Sequence, residues 1–197
     1  MYKIVLSSSR NPSIRVRQFL NELELAIPNT VKINRGKMSI SDLIVKALEL
    51  NARYILYVMT RKGNPAILKF IEVHEDSYRL VPYAIKLFGV KLLIDMPIRR
   101  LVKKRARRAL IIQLKDYVEV SDIFSQIFNL PVIEMSNLHE IDSIDKSYDT
   151  IILVRNVYNR DWKIEVQFLD GQDLGPNGPI LRILEVKYLK EKIGTLS

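Results

Sequence analysis

The sequence predicts an α/β fold built from two similar halves. Short apolar, β-prone runs alternate with stretches of helical periodicity, the pattern of mixed sheets covered by helices. The order of these segments in residues 1–90 returns in residues 109–197, and between them lies a basic connecting segment, 91–108. With 197 residues, 48% of them hydrophobic, the chain suits one large domain or two small lobes. A chain of this size buries roughly 70% of its unfolded surface and needs no disulfide or metal staple.

Residues 2–6 read as a short buried strand, followed by a polar turn over 7–11. Asn11 and Pro12 suit an N-cap and a first helical position. Val16, Leu20, Leu23 and Ile27 then recur at helical spacing, and Pro28-Asn29 ends the helix near Ala26. Residues 31–33 give a brief strand. The turn Asn34-Arg35-Gly36-Lys37 leads into a second helix, where Ser39 and Asp42 stand at capping-box spacing. Its apolar face carries Ile40, Leu43, Ala47 and Leu48. Three strands follow at 54–59, 67–73 and 80–87, the first two joined by a turn over 61–65. Pro82 marks the third as an edge strand or a bulge.

The second half opens with a buried strand at 109–114 and a helix at 121–129 carrying Ile123, Phe124, Ile127 and Phe128. Leu130-Pro131 stops that helix, and 132–135 is a brief strand. Residues 136–148 are polar and acidic and stand where the first half has its second helix. Strands at 150–157, 163–169 and 180–189 complete the set. Tyr54-Ile55-Leu56-Tyr57-Val58 and Ile67-Leu68-Lys69-Phe70-Ile71 are paralleled, in order and pattern, by Ile151-Ile152-Leu153-Val154 and Ile164-Glu165-Val166-Gln167-Phe168.

The charge is uneven. Of a net +9, Arg99, Arg100, Lys103, Lys104, Arg105, Arg107 and Arg108 supply +7 and leave the rest of the chain at +2. Asp95-Met96-Pro97 can start a helix here, with Ile98, Leu101, Val102 and Arg105 along one stripe and the other cations outward. A solvated helix face normally mixes signs, whereas this run repels itself, which favours a polyanion partner over mere solvation. Arg10, Arg15 and Arg17 flank the first helix start, and Arg35 and Lys37 precede the second. In an α/β sheet both turns leave strand carboxyl ends, where ligands tend to bind. Free amides at helix starts favour anions there, and ordinary capping explains the same residues equally well.

Catalytic signatures are absent. Cysteine is missing, which excludes a thiolate metal site and a cysteine nucleophile and suits a reducing, cytoplasmic setting. Arg35-Gly36-Lys37-Met38-Ser39 lacks the first glycine of a phosphate-binding loop, and Met38 separates Lys37 from Ser39. His74 and His139 stand apart, with no ligand spacing around them. Asp142, Asp145 and Asp149 read as solvated loop residues, and Tyr54, Tyr57 and Tyr158 as sheet residues. The start of the chain turns polar at Ser7, unlike a signal peptide, and no apolar run reaches membrane-spanning length. Neither cofactor, metal, membrane nor small-molecule substrate is expected.

Several stretches resemble archaeal Brix-domain proteins. Ser9-Arg10-Asn11-Pro12-Ser13, then Pro28-Asn29 and Asn34-Arg35-Gly36-Lys37-Met38-Ser39, look like the family's N-terminal part. Asp149-Thr150-Ile151-Ile152-Leu153-Val154-Arg155-Asn156 and Gly178-Pro179-Ile180-Leu181-Arg182-Ile183-Leu184-Glu185-Val186 look like its C-terminal part, where Gly-Pro precedes a long strand. Gly63-Asn64-Pro65-Ala66-Ile67-Leu68-Lys69-Phe70 is the first-half counterpart, with Asn64 inserted in the Gly-Pro pair of eukaryotic members. The resemblance implies a single Brix domain over 1–197, its two pseudo-duplicated halves like the anticodon-binding domain of class II aminoacyl-tRNA synthetases. It also implies a non-enzymatic ribosome biogenesis factor that binds pre-rRNA and other assembly factors and assists rRNA processing and subunit assembly. A protein-interaction scaffold within a pre-ribosomal complex, touching RNA only incidentally, is the alternative.

Overall fold

The computed structural model of the chain describes residues 3–97, 104–144, 146–190 and 192–195. In chain order the elements are β1 (Lys3–Ser8), α1 (Ile14–Ala26), β2 (Thr30–Lys32), α2 (Ile40–Glu49), β3 (Ala52–Arg61), β4 (Asn64–Val73) and β5 (Ser77–Lys91). They continue with β6 (Ala109–Leu114), α3 (Glu119–Phe128), β7 (Val132–Met135), β8 (Thr150–Asn156), β9 (Ile164–Asp170), β10 (Pro176–Tyr188) and β11 (Lys192–Thr195).

Turn chemistry decides where these elements start and stop. Ser13, not Asn11, caps α1, its Oγ accepting from the Val16 amide at 3.2 Å. Asn11 instead takes a left-handed conformation (φ 51°), which asparagine tolerates better than most residues and which turns the chain out of β1. Ser39 and Asp42 form the predicted capping box at α2, and left-handed Asn129 ends α3. Lys62 and Gly63, both at positive φ, make the two-residue turn that lets β3 fold back on β4. Residues 136–148 contain a short 3-10 helix, Leu138–Ser143, in the place of a second-half α2.

All the strands join one sheet, ordered β2-β1-β3-β4-β5-β10-β9-β8-β6-β7, with β11 pairing β5. β1 is parallel to β2 and β3, and β6 is parallel to β7 and β8. The centre is antiparallel, where β5 meets β10. Thus β5 is an interior strand, and the edge expected from Pro82 is not found. The bulge is: pairing with β4 passes from Lys69↔Ala84 to Ile71↔Leu80 and skips Pro82. Lacking an N–H, proline fits the break, and its carbonyl accepts the Leu189 amide at 2.8 Å.

Helices α1 and α3 cover the same face. Phe19, Leu23, Phe124 and Ile127 meet Leu56, Phe70, Ile85, Ile152, Phe168 and Ile183 in a single core that runs through both halves. On the other face α2 buries Leu43, Ile44 and Ala47 over Val5, Ile55 and Ile71. Ile141 in the 3-10 segment covers the second half there, against Leu110, Ile112 and Leu153. Adjacent residues such as Val5 and Leu6 therefore serve opposite faces, as the pleat requires.

A helix beginning at Pro97 is not found over residues 104–108, which are irregular. Ile98, Leu101 and Val102 of its proposed stripe lie outside the described residues, and Arg105, the fourth member, is exposed. The backbone groups of 104–108 have distant partners in place of a helical ladder. Ala106 N–H donates to Leu25 O at 2.8 Å, and the amides of Arg107 and Arg108 donate to one carboxylate oxygen of Asp149.

Candidate nucleic-acid interface

The predicted cations among the described residues fall into two groups at opposite ends of α1. Strands β1 and β2 are parallel, so the turns that follow them emerge at one edge of the sheet. Arg10 lies exposed in the first turn, and Arg35 and Lys37 lie in the second. Arg35 is half-engaged: its Nε donates to Met38 O at 2.8 Å and its guanidinium to the Tyr57 hydroxyl at 2.9 Å. Lys37 is exposed, beside Gly36 at φ 54°. The Ser39 amide and hydroxyl hold the Asp42 carboxyl below its usual range, and the charges of Arg10 and Arg35 add to that pull. These two cations therefore share one edge with the start of α2.

Two arginines of the same region differ in how far the fold engages them. Arg15 grips Asp95 with both guanidinium nitrogens, at 3.1 and 2.6 Å, and also donates to Val90 O at 2.8 Å. That hydrogen bonding raises the Arg15 pKa and holds Asp95 below its ordinary value. A bidentate arginine in such a clamp has few donors left for phosphate. Arg17 is exposed and turns its Nε back to Pro12 O at 3.1 Å.

The second group stands at the far end of α1, where the connecting segment enters β6. A 13-residue helix puts about 20 Å between these ends. Arg105 is tied down, with its guanidinium on Glu24 at 2.8 Å and on Thr30 O. Arg108 lies over the Tyr148 ring at 4.8 Å. The side chains of Lys104 and Arg107 are exposed and form no ion pair among the described residues. Arg99, Arg100 and Lys103, the other cations of the run, lie outside the described residues. Among the described residues, the loop cations and those of 104–108 thus do not converge on one patch. Any ligand touching both spans roughly the length of α1.

Asp149 organises the second group, a role beyond the loop solvation that its sequence context suggests. Its Oδ2 accepts from the amides of Arg107 at 2.8 Å and Arg108 at 3.0 Å, while its own amide donates to Arg108 O at 2.9 Å. No local signal marks this role, because the partners are 41 and 42 positions away. Sequence reasoning also passed over Phe88 and Trp162, which the fold stacks together on the sheet with ring centroids 5.3 Å apart. Among the described residues there is no cluster of three potential metal ligands and no helix long and apolar enough to cross a membrane.

No family model matches the chain, but curated relatives do. It is 33% identical to a probable Brix domain-containing ribosomal biogenesis protein of Pyrobaculum aerophilum, over 94% of this chain and 96% of that protein. The chain belongs to the Brix domain-containing ribosomal biogenesis proteins. A relative of the same description from Sulfurisphaera tokodaii is 39% identical over 52% of this chain and 57% of its own length. Two solved structures agree in architecture. A probable ribosomal biogenesis protein from Aeropyrum pernix superposes with a TM-score of 0.68 at 22% identity, covering 96% of this chain and 100% of that one. Mil, an archaeal Imp4-like protein, gives 0.61 at 21%, covering 93% and 99%. Family membership supports a role in ribosome biogenesis for this chain.

Proposed function

We propose that this Brix protein is a non-enzymatic, cytoplasmic factor that binds pre-rRNA and assists its processing and subunit assembly. The observation that carries the reading is the basic segment 104–108. Its backbone is pinned by Asp149 and Leu25 while Lys104 and Arg107 project freely into solvent. Cations presented from a fixed backbone suit phosphate contacts, which position a protein on RNA without reading sequence. Arg10, Arg17, Arg35 and Lys37 at the opposite edge supply a second set of contacts for an RNA long enough to reach both.

We read the chain as a single Brix domain with halves 1–90 and 109–197 as two copies of one anticodon-binding-like unit. The strand orders β2-β1-β3-β4-β5 and β7-β6-β8-β9-β10 support this, since each traces the same path out from the central pair. In that reading the basic segment 91–108 is the joint between the copies.

The test is the salt dependence of binding to structured rRNA fragments. Replacing Lys104 and Arg107 with alanine is expected to weaken binding and flatten the slope of log K against log salt by about two units. An unchanged affinity and slope would remove this segment from the interface. The competing scaffold reading draws on β7, an edge strand with an exposed Ile133. Assembly partners that stay bound after nuclease treatment would favour it.

A further inference from the structure

At the centre of the sheet, β5 and β10 pair with an interruption. The register passes Arg182↔Gly89, Ile183↔Leu87 and Glu185↔Lys86, so Phe88 and Leu184 are each skipped. Bulges of this kind re-aim side chains and gather beside functional sites. Both skipped residues line an open groove of about 630 Å³, with Ile67 of β4 and three cations, Arg61, Lys62 and Lys86. No carboxylate lines it, although Lys86 also reaches Glu185 at 3.1 Å. None of Ile67, Phe88 and Leu184 belongs to the apolar clusters under the helices or the 3-10 segment.

Phe88 is 49% exposed, unusual for a phenylalanine within an interior strand. It stacks on Trp162 at 5.3 Å with 28° between the ring planes, and the Arg182 guanidinium lies over Trp162 at 4.5 Å. In this stack, Trp162 Nε1 and Arg182 Nε are shielded from solvent with no hydrogen-bond partner among the described residues. Buried donors are seldom left unpaired in a finished structure. An aromatic ring half in water, a cation stacked behind it and phosphate-binding charges beside it match the way proteins hold unpaired nucleotides.

We propose that Phe88, backed by Trp162 and Arg182, is a stacking platform for an unpaired base of RNA, with Arg61, Lys62 and Lys86 receiving the flanking phosphates. The proposal rests on the RNA-binding reading above and deepens it, adding recognition of single strands to docking by charge. The groove volume falls within the roughly 300–1,000 Å³ typical of ligand sites. An apolar protein segment would leave Arg61, Lys62 and Lys86 without a counter-charge, and an acidic one would leave the exposed face of the Phe88 ring without a stacking partner.

Trp162 is the single tryptophan of the chain, so its emission reports on this site in the full-length protein. Titration with a mixed-sequence RNA single strand of about ten nucleotides is expected to quench that emission. Phe88→Ala should lower affinity for the strand by about 5- to 100-fold, the range for losing one stacked base. Phe88→Tyr should restore most of it, and affinity for a duplex of the same length should be unchanged by either. Because Phe88 is half in solvent, both variants are expected to keep the wild-type circular dichroism spectrum. Wild-type single-strand affinity in Phe88→Ala, or unquenched emission at saturation, would overturn the platform. If in that case the Lys104 and Arg107 substitutions still weaken binding, the RNA-binding reading survives without it. Wild-type protein that binds no RNA overturns both.

Discussion

Substituting Asp149 with alanine tests whether the basic segment is held or merely adjacent. One carboxylate oxygen accepts two backbone amides, at 2.8 Å from Arg107 and 3.0 Å from Arg108. Hydrogen bonds to a charged group contribute about 1.5–3 kcal/mol each when shielded. Asp149 is exposed, so solvent screening brings each to about 1 kcal/mol and the pair to about 2 kcal/mol. The main-chain bond from the Asp149 amide to Arg108 O, 2.9 Å, survives the substitution and limits the damage. For a chain of this length about 1 kcal/mol corresponds to roughly 2–4 °C, so Asp149→Ala should lower Tm by about 4–8 °C. Asp149→Asn keeps a neutral acceptor and should lose about half as much. Urea denaturation gives the stability, and amide hydrogen exchange at 107 and 108 gives the local effect, which should be larger than the global one. A stability within about 0.5 kcal/mol of wild type, together with unchanged exchange at both amides, would refute the anchoring role.

Two further perturbations probe the same framework. A Cβ on Gly171 would lie 1.8 Å from Tyr148 O and 2.8 Å from Tyr148 C, both main-chain atoms with no rotamer to escape into. Gly171→Ala should therefore cost about 3 kcal/mol, displacing the strand start that carries Asp149, and a wild-type melting curve would contradict the close approach. Burial pushes the Glu22 carboxyl up to about 7, although it accepts the Leu93 amide. A carboxyl raised in the folded state contributes stability that is full below its ordinary value and lost as pH climbs through about 7. Glu22→Gln should be about 1–2 kcal/mol more stable than wild type at alkaline pH, with the gain vanishing in mild acid. A pH-independent difference in urea midpoint would show that the carboxyl is not responsible.

Local chemistry made most of the elements legible. The Ser39–Asp42 capping box, the runs that became β6 and β7, and the helix that ends near Ala26 follow from side-chain periodicity and caps alone. Misreadings arose where distant partners decide. Pro82 is compatible with an edge or a bulge in the sequence, and only the fold, with β10 and β11 lying beside β5, selects the bulge. β11 was missed, since four residues that include a glycine carry no strand pattern of their own. The helix expected after Pro97 needs an i→i−4 ladder, yet Ala106, Arg107 and Arg108 give their amides to Leu25 and Asp149. Arg15 was legible as a cation by a helix start, but only the fold brings Asp95 to it from 80 positions away. Phe88 and Trp162 escaped notice because a stacking surface is a property of two strands, and neither strand announces the other.

The antiparallel pairing of β5 with β10 also governs how the protein is made. The Lys86–Glu185 ion pair across it joins residues 99 positions apart, so for most of translation β5 has no neighbour on that side. A fifteen-residue strand with an open edge is a template for wrong pairing as well as right. Non-local closure of this kind is slow. The sheet becomes continuous only after β10 has been synthesised, and Leu184, Arg182 and Trp162 join Phe88 only then. A nascent chain therefore lacks the aromatic and cationic backing of Phe88 until its two halves have closed on each other, which makes completion of the fold a precondition for the stacking platform.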